Sequence, residues 1–384
     1  MQKHHYLKII ALFCILLSCK EASREETQAQ KTEKEKTEHR EIINIKYATG
    51  FQIEPIDEGY LLTITNPWPE ADQDYHYLLT TSDEVQDQNA VKIQIPIKRF
   101  IATSTTHVPP LVLLGKEQTL KAFPSTDYIS SPEVRKLIDE GEITDLGIDS
   151  SMDVEAILLA QPDLVMGYGV SNENAIYKKV QQAGVPLIYN GDWVEPHPLG
   201  KAEWIKVYGL LYDRYDEALK IFNQIERDYL NVKKQVRNLD QPTVIAGATW
   251  KDTWYLPYGD SWQGKILKDA GGDYIYADTS GTGSLAYNIE QVLADARTAD
   301  FWIAPGQYTS YEKMRHDQNA YTLFKAFEER NVYTFAKNKG AKGGVTYYEE
   351  AAMRPDLVLK DLVKILHPEM ELDHKLYFFS PLDK

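Results

Sequence analysis

"VEAILLAQPDLVMGYG", Val154 to Gly169, places an apolar helical stripe behind an acidic residue, breaks at Pro162-Asp163, and continues as a short apolar run ending in glycine. Asp153 is suited to cap the helix, and Glu155 in its first turn complements the helix dipole by a few tenths of a kcal/mol. Pro162 removes a backbone donor, so the helix ends and the residues beyond Asp163 read as a buried strand. A second stretch, "NIEQVLADARTADFWIAPG" from Asn288 to Gly306, repeats the pattern. Each copy has an N-cap candidate (Asp153, Asn288), an apolar residue, a glutamate (Glu155, Glu290), an apolar helix face, an aspartate (Asp163, Asp300), an apolar strand and a glycine (Gly167, Gly306). The second copy is longer between glutamate and aspartate, so the match is one of pattern. Repetition on this scale predicts two lobes built on one plan.

The flanking sequence fits that plan. "RFIATS" reads as a strand, "HVPPLVLLG" as a helix closed by Gly115, "SSPEVRKLIDEG" and "SNENAIYKKVQQAG" as helices, and "VPLIYN" as a strand. After Gln241-Pro242 the alternation resumes with "TVIAGATW", "SWQGKILKDAGG", "DYIYAD" and "RPDLVLKDLVKIL". Alternating strands and short helices imply parallel sheets covered on both faces. Between Pro198 and Leu239 there is no strand signal. One helix is expected to about Tyr212 and a longer one from Tyr215 to Leu239, striped by Ala218, Ile221, Phe222, Ile225 and Tyr229. From Ile42 to Ile97 a period-two pattern predicts a meander of strands extending the first lobe's sheet. The expected organisation is an N-terminal α/β lobe over 42–212, a connecting helix over 213–240 and a C-terminal α/β lobe with tail over 241–384.

The 384 residues, 43% of them hydrophobic, can fill more than one core. A net charge of −15 and no Lys/Arg cluster argue against nucleic acid as a partner. Residues 1–18 carry Lys3 and Lys8, an apolar run from Ile9 to Leu17, and Ser18 directly before Cys19. That is a signal peptide, too short for a convincing membrane span. Leu16-Leu17-Ser18-Cys19 resembles a bacterial lipobox, whose cysteine becomes the lipidated first residue. Cys14 would leave with the signal, so the mature chain would keep no free thiol and its charge would become −17. The segment 19–41 is dominated by charge and is expected to be a solvated tether. The implied location is the cell envelope, extracytoplasmic and lipid-anchored.

The lipobox, the "RFIATSTTHVPPLVLLG" opening, the paired stretches, the "LKDAGGDYIYAD" turn and the long helix together resemble the helical-backbone (class III) substrate-binding proteins of ABC importers. The resemblance covers about Arg99 to Leu366. It implies α/β architecture: two Rossmann-like lobes with central sheets, joined by one long rigid helix, here with an N-terminal antiparallel strand extension. It also implies a ligand in the inter-lobe cleft, taken from ferric siderophores, haem and cobalamin. The expected partners are a permease and its ATPase, with the binding protein a monomer. In the family one glutamate on each lobe docks against permease arginines; these map to Glu155 and Glu290. Where many relatives carry an acidic residue in the first strand-to-helix turn, this chain has Thr105-Thr106-His107.

Ligands of open α/β sheets bind beyond the carboxyl ends of strands. The loops there hold His107, Tyr128, Tyr168, Trp193, Trp250, Trp254, Tyr255 and Tyr308, with Tyr347 a further candidate. Flat rings with polar edges suit a bulky planar ligand, and the sparse basic supply favours a neutral one. Imidazole at His107 could ligate iron or cobalt, although a histidine at a helix start more commonly forms hydrogen bonds. No resident cofactor or protein-held metal is expected. There is no phosphate-binding glycine loop of G-x-G-x-x-G or Walker type, no G-x-S-x-G elbow and no mature thiol nucleophile. A lipid-anchored two-lobed enzyme and a free-metal-ion binder remain the alternatives.

Overall fold

Period-two alternation of β-branched and aromatic residues produces β1 (Phe51–Ile56), β2 (Gly59–Ile64), β3 (Tyr75–Thr80) and β4 (Val91–Gln94). β1, β2 and β3 pair antiparallel, and β4 joins β3 in parallel. The computed structural model describes residues 43–169, 171, 174–281 and 283–384. Two compact units divide the chain, Met1–Asn44 and Ile45–Lys384, and every described strand and helix lies in the second. The signal segment 1–18, Cys19 and the tether 19–41 lie outside the described residues.

The four strands do not extend the first lobe's sheet; they form a sheet of their own. The reason lies at Tyr189 in the lobe's edge strand. Its backbone N–H donates to the Tyr77 hydroxyl at 3.3 Å, so a side chain takes the place that a backbone ladder would need. Trp68, Tyr75 and Tyr189 interlock beside it with ring centroids 4.8 to 5.7 Å apart. The added sheet is therefore joined by aromatic packing.

The first lobe is built on β5 (Phe100–Ala102), β6 (Leu120–Phe123), β7 (Thr144–Asp145), β8 (Leu164–Tyr168) and β9 (Leu187–Asn190). Their order is β7-β6-β5-β8-β9, parallel throughout. The second lobe contains β10 (Thr243–Ala246), β11 (Ala248–Trp250), β12 (Thr253–Pro257), β13 (Asp273–Tyr274), β14 (Ser284–Tyr287), β15 (Phe301–Ile303), β16 (Val332–Thr334) and β17 (Ser380–Pro381). Its main sheet runs β13-β10-β15-β16-β17, with only the last pair antiparallel. β11, β12 and β14 form a separate antiparallel sheet. Gly247 makes the break from β10 into β11. It sits at φ +76, where a Cβ would lie 1.9 Å from the Tyr255 carbonyl oxygen.

The order β13-β10-β15-β16 repeats β6-β5-β8-β9, so the internal echo in the sequence is an echo in topology. The Val154–Leu159 helix leads into β8 beside β5, and the Ile289–Ala296 helix leads into β15 beside β10. The repeated aspartates explain part of the pattern. Asp163 accepts the backbone N–H groups of Lys98 at 2.7 Å and Arg99 at 2.9 Å, and its own N–H donates to the Arg99 carbonyl at 2.8 Å. Asp300 accepts the Thr243 N–H at 2.9 Å, and its N–H donates to the Thr243 carbonyl at 3.0 Å. Each aspartate thus stitches the start of one strand to the start of the lobe's first strand.

The connecting helix spans Tyr215–Gln235, ending one turn before Leu239, and buries Ala218, Phe222, Ile225, Tyr229 and Val232. Gly209 admits it closely against the Ile205–Leu211 helix, since a Cβ there would stand 2.6 Å from that of Ala218. On the second-lobe side Asp269 accepts the Tyr229 hydroxyl and pairs with Lys233, both at 2.7 Å. Ties to both lobes make the helix a stiff connection.

Ahead of β1, two buried carboxylates hold the incoming chain. Glu203 accepts the backbone N–H groups of Lys46, Tyr47 and Ala48, and Glu195 accepts those of Thr49 and Gly50. Five consecutive backbone donors are satisfied this way without secondary structure. No helix among the described residues is long and apolar enough to cross a membrane.

Candidate ligand-binding cleft

The carboxyl ends of the two parallel sheets open into adjoining cavities. The first, about 570 Å³, is lined by Thr103, Ser104 and Thr105 after β5, Ser125 and Tyr128 after β6, Asp149 and Ser150 after β7, and Tyr168 ending β8. The second, about 490 Å³, lies at the ends of β10, β15 and β16 and is walled by Trp250, Tyr255, Gln307, Tyr308, Tyr347 and several aliphatic residues. Tyr348 lines both cavities. Its hydroxyl accepts a hydrogen bond from the Gln307 amide at 2.6 Å, which fixes the ring between them.

The segment bearing Tyr348 also ties the lobes together. Glu349, on the Thr346–Glu350 helix, accepts the backbone N–H groups of Ser130 and Ser131, and the Ser130 hydroxyl donates to the Gly344 carbonyl at 3.0 Å. Gly344 lies so close to the first lobe that a Cβ would stand 2.1 Å from the Tyr128 carbonyl oxygen. A side chain at 344 would push that wall of the cleft apart.

Five of the eight cleft candidates line the cavities: Tyr128 and Tyr168 the first, and Trp250, Tyr255 and Tyr308 the second. Trp250 is the most open of the second group at 64% exposed, with the Lys251 ammonium 4.4 Å from its ring centroid. Tyr308 stands edge-on to Tyr321 at 5.9 Å, and burial raises its hydroxyl pKa, followed by the influence of Tyr321 and Asp317.

Three candidates are placed elsewhere. Trp254 is fully buried, stacked on Trp302 at 5.1 Å, and its indole N–H donates to the Ala246 carbonyl at 3.0 Å. It belongs to the second lobe's core because the strand alternation that turns Tyr255 outward turns Trp254 inward. Trp193 lies outside both linings and meets Tyr168 edge-on at 5.7 Å. His107 is also fully buried, and neither ring nitrogen has a hydrogen-bond partner among the described residues. Burial pushes its pKa down to about 3, so the ring stays neutral. It is sealed beneath the start of the Val108–Leu113 helix and does not reach either cavity lining.

Tyr348, Gln307 and Asp149 were not among the sequence candidates. Asp149 follows β7, a strand of only two residues, which left little pattern to locate its loop. Burial raises its carboxyl pKa. Charge in the two described linings is sparse: Asp149, Asp317 and Lys313, the last two 3.9 Å apart. Among the described residues no group of three or more His, Cys, Asp or Glu side chains is arranged to hold a metal ion.

Glu155 and Glu290 are both exposed, each the second residue of its helix, in equivalent helices. The capping is done by their neighbours: Asp153 accepts from the N–H groups of Glu155 and Ala156, and Asn288 from that of Gln291.

Residues 101–338, well over half of the chain, match the periplasmic binding protein family. The chain belongs to that family. An uncharacterized lipoprotein of Methanocaldococcus jannaschii is 27% identical over 75% of this chain and 69% of its own length. Among solved structures, an ABC-type Fe3+-hydroxamate transport system protein from Saccharomonospora viridis superposes with a TM-score of 0.56 at 17% identity, covering 79% of this chain and 98% of that one. The periplasmic vitamin B12 binding protein of Vibrio cholerae gives 0.52 at 16% identity, covering 72% and 99%. These likenesses establish the fold: two α/β lobes of the class III periplasmic binding protein type. The family match begins at β5, so the β1–β4 sheet lies ahead of it.

The Glu349 contact gives this periplasmic binding protein a pH signature. Burial raises the Glu349 pKa from about 4.5 to about 7, against the lowering by the Ser130 and Ser131 N–H groups. A carboxyl raised in the folded state contributes stability that is complete below its unfolded pKa and lost as pH rises through the folded one. Relative to Glu349→Gln, the wild type is expected to lose on the order of 3 kcal/mol of unfolding free energy between pH 4.5 and 7. Urea titrations at a series of pH values measure this, and a pH-independent difference between the two proteins contradicts it.

Proposed function

We propose that the protein captures a metal chelate, a ferric siderophore or a corrinoid, between its lobes and delivers it to an ABC permease through Glu155 and Glu290. The observation that carries the reading is the pair of cavities at the carboxyl ends of both parallel sheets, joined at Tyr348 and rimmed by aromatic side chains. Tyrosine and tryptophan offer large contact area with polar edges, and a cleft between tied lobes is prepared before the ligand arrives. One lysine and two aspartates in the linings favour an uncharged chelate over a polyanionic one, because no cationic set is present to offset several negative charges. The lipobox at Cys19 would keep the protein near its permease.

Tryptophan fluorescence, with Trp250 at the cleft, tests the reading. Cyanocobalamin and ferrichrome, both uncharged, are titrated beside haemin and ferric enterobactin. Quenching by at least one uncharged chelate with micromolar or tighter affinity is expected, with ferric enterobactin at least about tenfold weaker, a difference of about 1.4 kcal/mol. No binding of any of the four at roughly 100-fold higher concentration would remove the chelate assignment. Chemical conversion of a bound compound by the purified protein would replace it with an enzymatic one.

A further inference from the structure

The two cavities differ in chemistry as well as position. Around the first stand the side chains of Thr103, Ser104, Thr105, Ser125 and Ser150, so its walls are rich in hydroxyls. The second reaches into the core of its lobe: Leu256, Ile266, Leu267, Val358, Leu362 and Phe379 line it, and each is less than 4% exposed. Its polar groups gather toward the rim, where Ser284 and Lys313 are exposed.

Protein interiors are close-packed, and core side chains left facing a cavity forfeit dispersion contacts that nothing else supplies. An opening of about 490 Å³ into the second lobe's core is matched by an occupant that is itself apolar. Tyr348 stands between this cavity and the hydroxyl-rich one, so a single ligand spanning both would pass its ring. We infer that the second-lobe cavity is a separate subsite for an uncharged hydrocarbon or aryl arm of the ligand, whose polar chelating head occupies the hydroxyl-lined cavity of the first lobe. The inference rests on the chelate-binding reading and narrows it to amphipathic, uncharged chelates. It also gives the sparse lining charge a purpose, since an ammonium or carboxylate deep in such a socket would be costly to desolvate.

The test uses two ferric trihydroxamate complexes with the same head and no net charge, the N-acetyl and N-decanoyl derivatives of ferrioxamine B. Burying a methylene improves affinity by about fourfold, so occupancy of the socket by even half of the added chain makes the decanoyl complex at least about 100-fold tighter. Ser284→Trp, at an exposed rim position, and Ala248→Leu, on the cavity wall, are expected to remove most of that gain while leaving the acetyl complex within about twofold. Circular dichroism and the acetyl affinity itself report whether each variant is folded.

Equal affinity for the two complexes overturns the subsite while the chelate reading stands. A decanoyl advantage that survives both variants also overturns it, because the arm then lies elsewhere. If neither complex binds but the uncharged probe N-phenyl-1-naphthylamine binds in a way that both variants block, the apolar site stands and its coupling to a trihydroxamate head falls. Failure of all three probes overturns the subsite, while the chelate reading is decided by the four-chelate titration.

Discussion

Replacing Glu155 and Glu290 together by alanine is expected to cut permease-dependent uptake by about 100-fold or more while leaving ligand affinity in the cleft within about twofold. Both carboxylates are exposed, and the helix ends they occupy are capped by Asp153 and Asn288. Their removal therefore costs the fold only the few tenths of a kcal/mol owed to the helix dipole. A docking carboxylate facing a desolvated arginine is different. Truncating one member of such a pair costs about 2 to 5 kcal/mol, so two losses amount to at least two powers of ten. Because the residues head equivalent helices of a repeated topology, each single variant should fall between wild type and the double variant. The measurement pairs uptake into proteoliposomes bearing the cognate permease with calorimetric titration of the free protein. Undiminished uptake removes the docking role, and collapse of ligand affinity makes these residues part of the cleft.

Glu203→Ala is expected to destabilise the folded protein by about 3 to 5 kcal/mol. Its carboxylate is fully buried and accepts the N–H groups of Lys46, Tyr47 and Ala48, while the buried Lys206 ammonium donates to it at 2.6 Å. Alanine removes this carboxylate from the ammonium and leaves three backbone donors without their acceptor, which is the costly way to break a buried pair. Glu203→Gln keeps an acceptor oxygen and should recover part of the loss. Guanidinium chloride unfolding gives the comparison; a cost under about 1 kcal/mol would mean that water replaces the carboxylate readily.

The parts of this architecture most legible in the sequence are those required twice. Asp163 and Asp300 stand out because each lobe needs a side-chain acceptor at the start of its first strand, and one side-chain type meets that need in both. The added strands were readable as strands, but not their separation from the first lobe's sheet, because one hydroxyl, that of Tyr77, occupies the edge where they would have joined. Cleft residues were legible only as loop aromatics. Trp250 and Trp254 look alike in "ATWKDTWYLPYGDSW", yet one is 64% exposed and the other fully buried, because the register of β11 on β12 sets Trp250 opposite Thr253 and Trp254 opposite Thr249, on opposite faces of the hairpin. Tyr348 was out of reach for a different reason. Its position between two cavities depends on Glu349 binding Ser130 and Ser131, a contact across more than two hundred residues of sequence.

The five backbone donors held by Glu195 and Glu203 also have a mechanical consequence. Force transmitted through the segment before Ile45 enters the folded unit at Lys46 to Gly50. There it is shared among several short bonds, those from Lys46, Tyr47 and Ala48 to Glu203 at the end of the Pro198–Glu203 helix and those from Thr49 and Gly50 to Glu195 just ahead of it. The loops that line the cavities branch off elsewhere in the chain. If the chain is tethered to a membrane, as the proposed function has it, a pull on the tether would reach the fold at these buried carboxylates and not at the loops that line the cavities.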